Sequence, residues 1–194
     1  MKLKTAAQRS AVIITILVLS MLFGYVYQTV GHKIDLKQHP REFSEYVERY
    51  CTEYGVPEYI VYAVILTGSG FQSNHVSEDG KIGLMQISPD TFAWLMSLTR
   101  EEMETGILYD PETNIRCGTY MLSYLFTEYS RWRTVFAVYY SDEYRVEAML
   151  NLFSETDENG NLGEIPDPEP DVLTFVDQVE EESDLYQKLY YMES

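Results

Sequence analysis

Apolar residues recur along this chain at helical spacing, after one unbroken apolar run near the start. Ala11 to Tyr27 (AVIITILVLSMLFGYVY) carries no charge. As a helix rising ~1.5 Å per residue it is about 25 Å long, close to a bilayer's hydrocarbon core, and Gln28 to Val30 can extend it. We expect a transmembrane anchor over residues 11–30, a basic tail over residues 1–10 and a linker over residues 31–40. A secretory signal peptide shares the basic start and the apolar run. No small-x-small cleavage site follows, however, and no cysteine is placed for lipidation, which favours an uncleaved anchor. Lys2, Lys4 and Arg9 precede the run and place that end in the cytoplasm, with the remainder outside.

Beyond residue 40 the apolar pattern is amphipathic. Phe43, Tyr46, Val47, Tyr50 and Tyr54 share a helical face that Gly55 terminates. Pro57 suits the first turn of a second helix through Ile60, Val61, Val64 and Ile65. Gly68-Ser69-Gly70 should end it, placing position 68 at a helix end beside a cleft or loop. Gln72 to Lys81 is polar and irregular. Ser88-Pro89 then opens a helix carrying Phe92, Leu95 and Met96. Thr99-Arg100-Glu101-Glu102 has the form of a capping box for a short helix ending near Gly106.

Asp110-Pro111 starts another helix, with Ile115, Leu122, Leu125, Phe126 and Tyr129 as its buried face. Further helices are predicted through Trp132 to about Tyr140 and from about Glu143 to Phe153. Residues 154–171 read as an acidic loop containing Pro and Gly. Val172, Phe175, Val176, Val179, Tyr186, Leu189 and Tyr190 predict a final helix over residues 172–192, docked on the domain. No repeat and no extended apolar alternation is present. The fold class is mainly α.

Length and charge narrow the partners. The 194 residues allow one ordinary domain plus appendages. The formal net charge is −17, and all 31 acidic residues lie beyond residue 30. Such a surface repels nucleic acid and anionic headgroups, so no nucleic-acid partner is expected. The 17 Tyr and 8 Phe argue for a packed domain against acidic disorder. Cys51 and Cys117 fall in predicted helices of an external domain, where a disulfide is permitted; two separate buried thiols is the competing reading. His32, His39 and His75 are isolated, so neither a metal nor a cofactor is expected.

The stretch Gly68 to Gln86, GSGFQSNHVSEDGKIGLMQ, resembles the signature of the lysozyme-like lytic transglycosylases of the SLT type. Ser69, Phe71, Ser77, Gly80, Gly83, Leu84, Met85 and Gln86 stand where that family has them. Asp110-Pro111-Glu112-Thr113-Asn114-Ile115 is a second resemblance, and Ile165-Pro166-Asp167-Pro168 is similar to the lead-in of short membrane-anchored members. The resemblance implies a lysozyme-like domain over residues 41–153. It also implies an enzyme that cleaves between N-acetylmuramic acid and N-acetylglucosamine through one glutamic acid. That acid protonates the glycosidic oxygen and then assists attack by the sugar's own 6-hydroxyl. The glutamate position here is Gly68.

Other positions depart as well. The family's Ala-Tyr-Asn-Ala-Gly is replaced by Val138-Tyr139-Tyr140-Ser141-Asp142, and its Tyr-Val pair by Phe175-Val176. A general acid must be a protonated carboxyl within reach of the leaving oxygen, and glycine has none. No catalytic residue is therefore assigned. Glu78 and Asp79 are the nearest carboxylates in sequence and either is a candidate for a displaced acid, Glu78 first, against the plain reading of solvated loop carboxylates.

By resemblance, Ser77, Met85, Gln86 and Tyr139 are glycan-binding. Each also has a structural reading: core for Met85, loop backbone satisfaction for Ser77 and Gln86, packing for Tyr139. The expectation is a membrane-anchored pseudoenzyme at the cell wall. It would bind peptidoglycan glycan strands, or scaffold or regulate other cell-wall proteins. The alternatives are an active transglycosylase using Glu78, and a protein-interaction module whose groove Tyr140 and Asp142 close.

Overall fold

The computed structural model describes residues 6–141 and 170–192. The chain divides into two compact units, residues 1–40 and 41–194. The first holds α1, Ala6–Gln38, a single helix of 33 residues. Its apolar side chains are exposed all round, Ile13 at 58% and Phe23 at 73% among them. Val12–Gln38 is long and apolar enough to cross a membrane. The hydroxyls of Ser20 and Thr29 donate back to the carbonyls of Ile16 and Tyr25 at 2.8 Å, so neither needs water. The same helix runs on through residues 31–38 of the linker expected over 31–40, with no breaker between Gly31 and Pro40.

The second unit is helical, as its periodicity predicts. It contains α2 (Ser44–Tyr54), α3 (Glu58–Ser69), α4 (Pro89–Thr99), a 3-10 turn (Thr105–Tyr109), α5 (Pro111–Tyr129), α6 (Trp132–Ser141) and α7 (Pro170–Tyr190). Gly55 and Gly70 close α2 and α3 in the left-handed conformation, their N–H groups donating to the carbonyls of Cys51 and Leu66. Ser88 and Asp110 cap α4 and α5 by accepting from the N–H groups of Thr91 and Thr113. Among the described residues the only β pairing is isolated bridges at Val76–Ile82 and Ile82–Ile87.

The capping box expected at Thr99 does not form. Helix α4 runs through Thr99 and stops on Arg100 in a left-handed conformation. The Thr99 hydroxyl donates backwards to the Leu95 carbonyl, and Glu101 is held in a two-pronged pair by Arg116 at 2.7 and 2.9 Å. The next helical turn starts only at Thr105. The helix expected over 143–153, most of the acidic loop and the Ile165–Pro168 motif lie outside the described residues. The last helix begins at Pro170, two residues earlier than its apolar stripe suggests.

Helix α5 packs against α2, α4, α6 and the 3-10 turn, while α7 packs against α3 and α6. Val61, Ala63 and Ile65 of α3, Leu122 of α5, Val138 of α6, and Val176 and Val179 of α7 are fully buried, as is Leu84 of the loop between α3 and α4. Cys51 and Cys117 are separate buried thiols. Burial pushes them up to about 12 and about 11, so both stay protonated and unreactive at neutral pH.

Candidate functional site

The site is built on the loop between α3 and α4, and Asn114 of α5 is what holds that loop. This side chain is fully buried. Its Oδ1 accepts from the Met85 N–H at 2.7 Å, and its Nδ2 donates to the carbonyls of Ile82 and Leu108 at 3.0 and 2.9 Å. The approach is so close that a Cβ on Gly83 would fall 2.2 Å from Asn114 Nδ2, at a φ of +82°. Gly83 is therefore required twice over, for space and for conformation. Met85 in turn lies over Gly118, where a Cβ would meet Sδ at 2.5 Å.

Four segments enclose a cleft of about 490 Å³. Helix α3 contributes Val64, Thr67 and Gly68. The loop adds His75, Ser77, Asp79, Lys81, Met85 and Gln86. Tyr139 and Tyr140 come from α6, and Asp171, Thr174, Phe175 and Gln178 from α7. Position 68 and the four candidate glycan-binding residues thus share one cavity. Glu78 is exposed and is not among the lining residues, whereas Asp79 is. Asp142 lies outside the described residues, so of the two side chains expected to close the groove only Tyr140 is placed, and it lines an open cleft.

Much of the polar capacity of the candidate residues is already committed. The Tyr139 hydroxyl donates to the Met85 carbonyl at 2.7 Å, and burial pushes its pKa far above the ordinary phenol value. Gln86 takes a left-handed backbone (φ 52°), and its Nε2 donates to the Gly83 carbonyl at 2.7 Å. The Ser77 hydroxyl accepts from the Lys81 N–H at 3.0 Å and donates to the Asp79 carboxylate. These bonds fix the loop's shape, so the structural reading of each residue holds alongside its place in the cleft.

Sequence reasoning gives Lys81 only as the end of a polar loop; the structure makes it central. Its side chain is 10% exposed, and Nζ lies 3.3 Å from Asp79 Oδ2. Nζ also donates to the Tyr140 carbonyl at 2.6 Å, near the C-terminus of α6, and sits 4.1 Å from the Tyr140 ring centroid. The Tyr140 ring stacks on Phe175 of α7 at 4.6 Å, so one cation and two rings tie loop, α6 and α7 together.

Burial pushes the Asp79 carboxyl up, but the hydrogen bond from Ser77 and the Lys81 ammonium together outweigh it and hold the group below its ordinary value. Asp79 is therefore ionised at neutral pH. It can accept a hydrogen bond from a ligand but has no proton to give. The cleft offers hydrogen-bonding groups and aromatic surface, with a glycine at the acid position.

Residues 45–159 match the family profile of the transglycosylase SLT domain. The chain is 30% identical over 114 residues to membrane-bound lytic murein transglycosylase C of Edwardsiella ictaluri, a match covering 57% of this chain and 31% of that protein. The chain thus spans less than a third of the length of the curated relatives it matches. Its fold is similar to the 70 kDa soluble lytic transglycosylase of Escherichia coli, with TM-score 0.71 and 24% identity over 81% of this chain and 26% of the other. It is similar also to an inactive mutant of the lytic transglycosylase Slt of Pseudomonas aeruginosa, with TM-score 0.67 and 22% identity over 77% of this chain and 24% of the other.

Proposed function

The chain belongs to the transglycosylase SLT domain family, and on that premise we propose that it binds peptidoglycan glycan strands without cleaving them. The observation that carries this reading is Gly68, a lining residue of the cleft that offers no carboxyl where the family's proton donor stands. Asp79, the cleft carboxylate nearest the motif's centre, is held ionised and is in the wrong state to replace it. The reading in which Glu78 supplies the proton has less support, since that side chain is exposed outside the cleft lining.

In this reading α1 anchors the protein in the cell membrane, with its basic N-terminus in the cytoplasm and the SLT domain outside. Ser77, Met85, Gln86 and Tyr139 shape the glycan-facing wall. The bound strand is then presented to, or withheld from, other cell-wall proteins. The membrane-bound description of the relatives and the apolar, exposed α1 both support this placement.

The test is to incubate the full-length protein in detergent with purified sacculi. Co-sedimentation with the sacculi and no release of 1,6-anhydro-muropeptides is the expected result. Release of those products that Glu78→Gln abolishes would replace this reading with an active one. Failure to sediment would remove glycan binding altogether.

A further inference from the structure

Helix α7 uses most of its surface in ways packing explains. Val172, Val176, Val179 and Tyr186 are buried against the core. Asp177 and Glu180 pair with Arg133 of α6. Phe175 is 9% exposed and stacks on Tyr140. These contacts fix the helix's rotation, and they leave one polar row, Asp171, Thr174 and Gln178, lining the cleft.

The row's spacing is i, i+3, i+7, one face of a helix. All three residues are exposed. Among the described residues, no hydrogen bond or ion pair engages the side chain of Asp171 or Gln178. They stand in the same cavity as His75, Gln86 and Gly68, which come from α3 and the loop that follows it. The row spans seven residues of rise, about 10.5 Å, of the order of a disaccharide's length. Its chemistry suits a sugar chain, since a carboxylate accepts from hydroxyl or acetamido N–H groups while Thr and Gln both donate and accept.

We infer that Asp171, Thr174 and Gln178 form the specificity wall of the cleft, hydrogen-bonding the hydroxyl and acetamido groups of two consecutive sugars. This inference rests on the glycan-binding reading above. It assigns the C-terminal helix a recognition role that the signature residues of the loop do not carry, and it makes Phe175 a positioning residue that holds the row in register.

The test is titration calorimetry of the full-length protein in detergent with N-acetylchitotetraose, alongside sedimentation with sacculi. Asp171→Ala and Gln178→Ala are each expected to weaken binding roughly 2- to 12-fold, the usual net worth of one hydrogen bond. Asp171→Asn, which keeps an acceptor, should lose less than Asp171→Ala. Glu181→Ala, an exposed position of the same helix that does not line the cleft, should bind as the parent does. Because all these positions are exposed, unchanged helical circular dichroism is expected throughout. Binding by the parent together with equal binding by the Asp171→Ala/Gln178→Ala double variant would overturn the inference and leave the glycan-binding function standing. Absence of binding by the parent to both ligands would overturn both.

Discussion

A Cβ atom built on Gly68 lies 3.1 Å from Cγ of Gln86, and its next neighbours are Gln86 Cβ at 3.7 Å and the Leu84 carbonyl at 3.9 Å. The close contact is with a flexible side chain, and Gly68 sits in the last turn of α3 with helical backbone. A side chain is therefore admissible there. Replacing glycine within a helix also recovers up to about 1 kcal/mol of conformational cost, which offsets the shift of Gln86. Gly68→Glu should fold with a Tm within a few degrees of the parent. It should not restore cleavage, because Tyr140 and Phe175, stacked on each other in the same cleft, stand where the family resemblance puts an Asn and a Tyr, so the groove around a new carboxyl is changed as well. Release of anhydro-muropeptides from sacculi by Gly68→Glu would show that the acid alone is missing.

Asn114 offers a sharper stability test. Asn114→Ala orphans the Met85 N–H and takes the side-chain donor from the Leu108 carbonyl, while the Ile82 carbonyl keeps its bond from the Ile87 N–H. Each unsatisfied buried group costs about 1–3 kcal/mol, so with two groups affected the loss should reach roughly 2 kcal/mol or more. Asn114→Asp should be no better, because an ionised carboxylate would face two carbonyls it cannot donate to. Urea denaturation of the full-length protein measures the change. A loss below 1 kcal/mol would show that the loop holds its shape without this hub.

The parts legible in the sequence are those decided locally. Gly55, Gly70, Ser88-Pro89 and Asp110-Pro111 set helix ends through bonds that reach no further than four residues, and each works as expected. Thr99-Arg100-Glu101-Glu102 misleads because the preceding helix runs on through Thr99: its hydroxyl bonds back to the Leu95 carbonyl, and Arg100 takes the left-handed stop, so Thr99 is not free to cap a new helix. At the site, the lost acid at Gly68 is plain in the motif. The bond from Tyr139 to Met85 and that from Lys81 to Tyr140 join residues 54 and 59 positions apart, and no local pattern encodes them. The cleft-facing row of α7 is visible as spacing, yet that its side of the helix meets the cleft depends on contacts with α6, through Phe175 on Tyr140 and Asp177 and Glu180 on Arg133, which no local pattern encodes.

Lys81 is where the remodelled cleft can be tested by pH. Lys81→Met keeps the apolar stem and removes the ammonium, so it deletes the pair with Asp79 and the bond to the Tyr140 carbonyl without opening a large void. In the parent, burial raises the Asp79 carboxyl while Ser77 and Lys81 lower it further. In the variant the raising influence remains with less to oppose it, so Asp79 should titrate at higher pH by NMR. The sign for stability follows from the parent's lowered value. A carboxyl depressed in the folded state contributes stability that is fully present above its ordinary value of 3.8 and is lost as pH falls through the lower folded value. The gap in Tm between parent and Lys81→Met should therefore be widest from neutral pH down to about pH 4 and should narrow below that. It should not vanish, because the bond from Lys81 to the Tyr140 carbonyl does not titrate in acid. A gap constant from pH 7 to pH 2 would mean that the pair with Asp79 adds nothing and that Lys81 acts only by tying the loop to the end of α6.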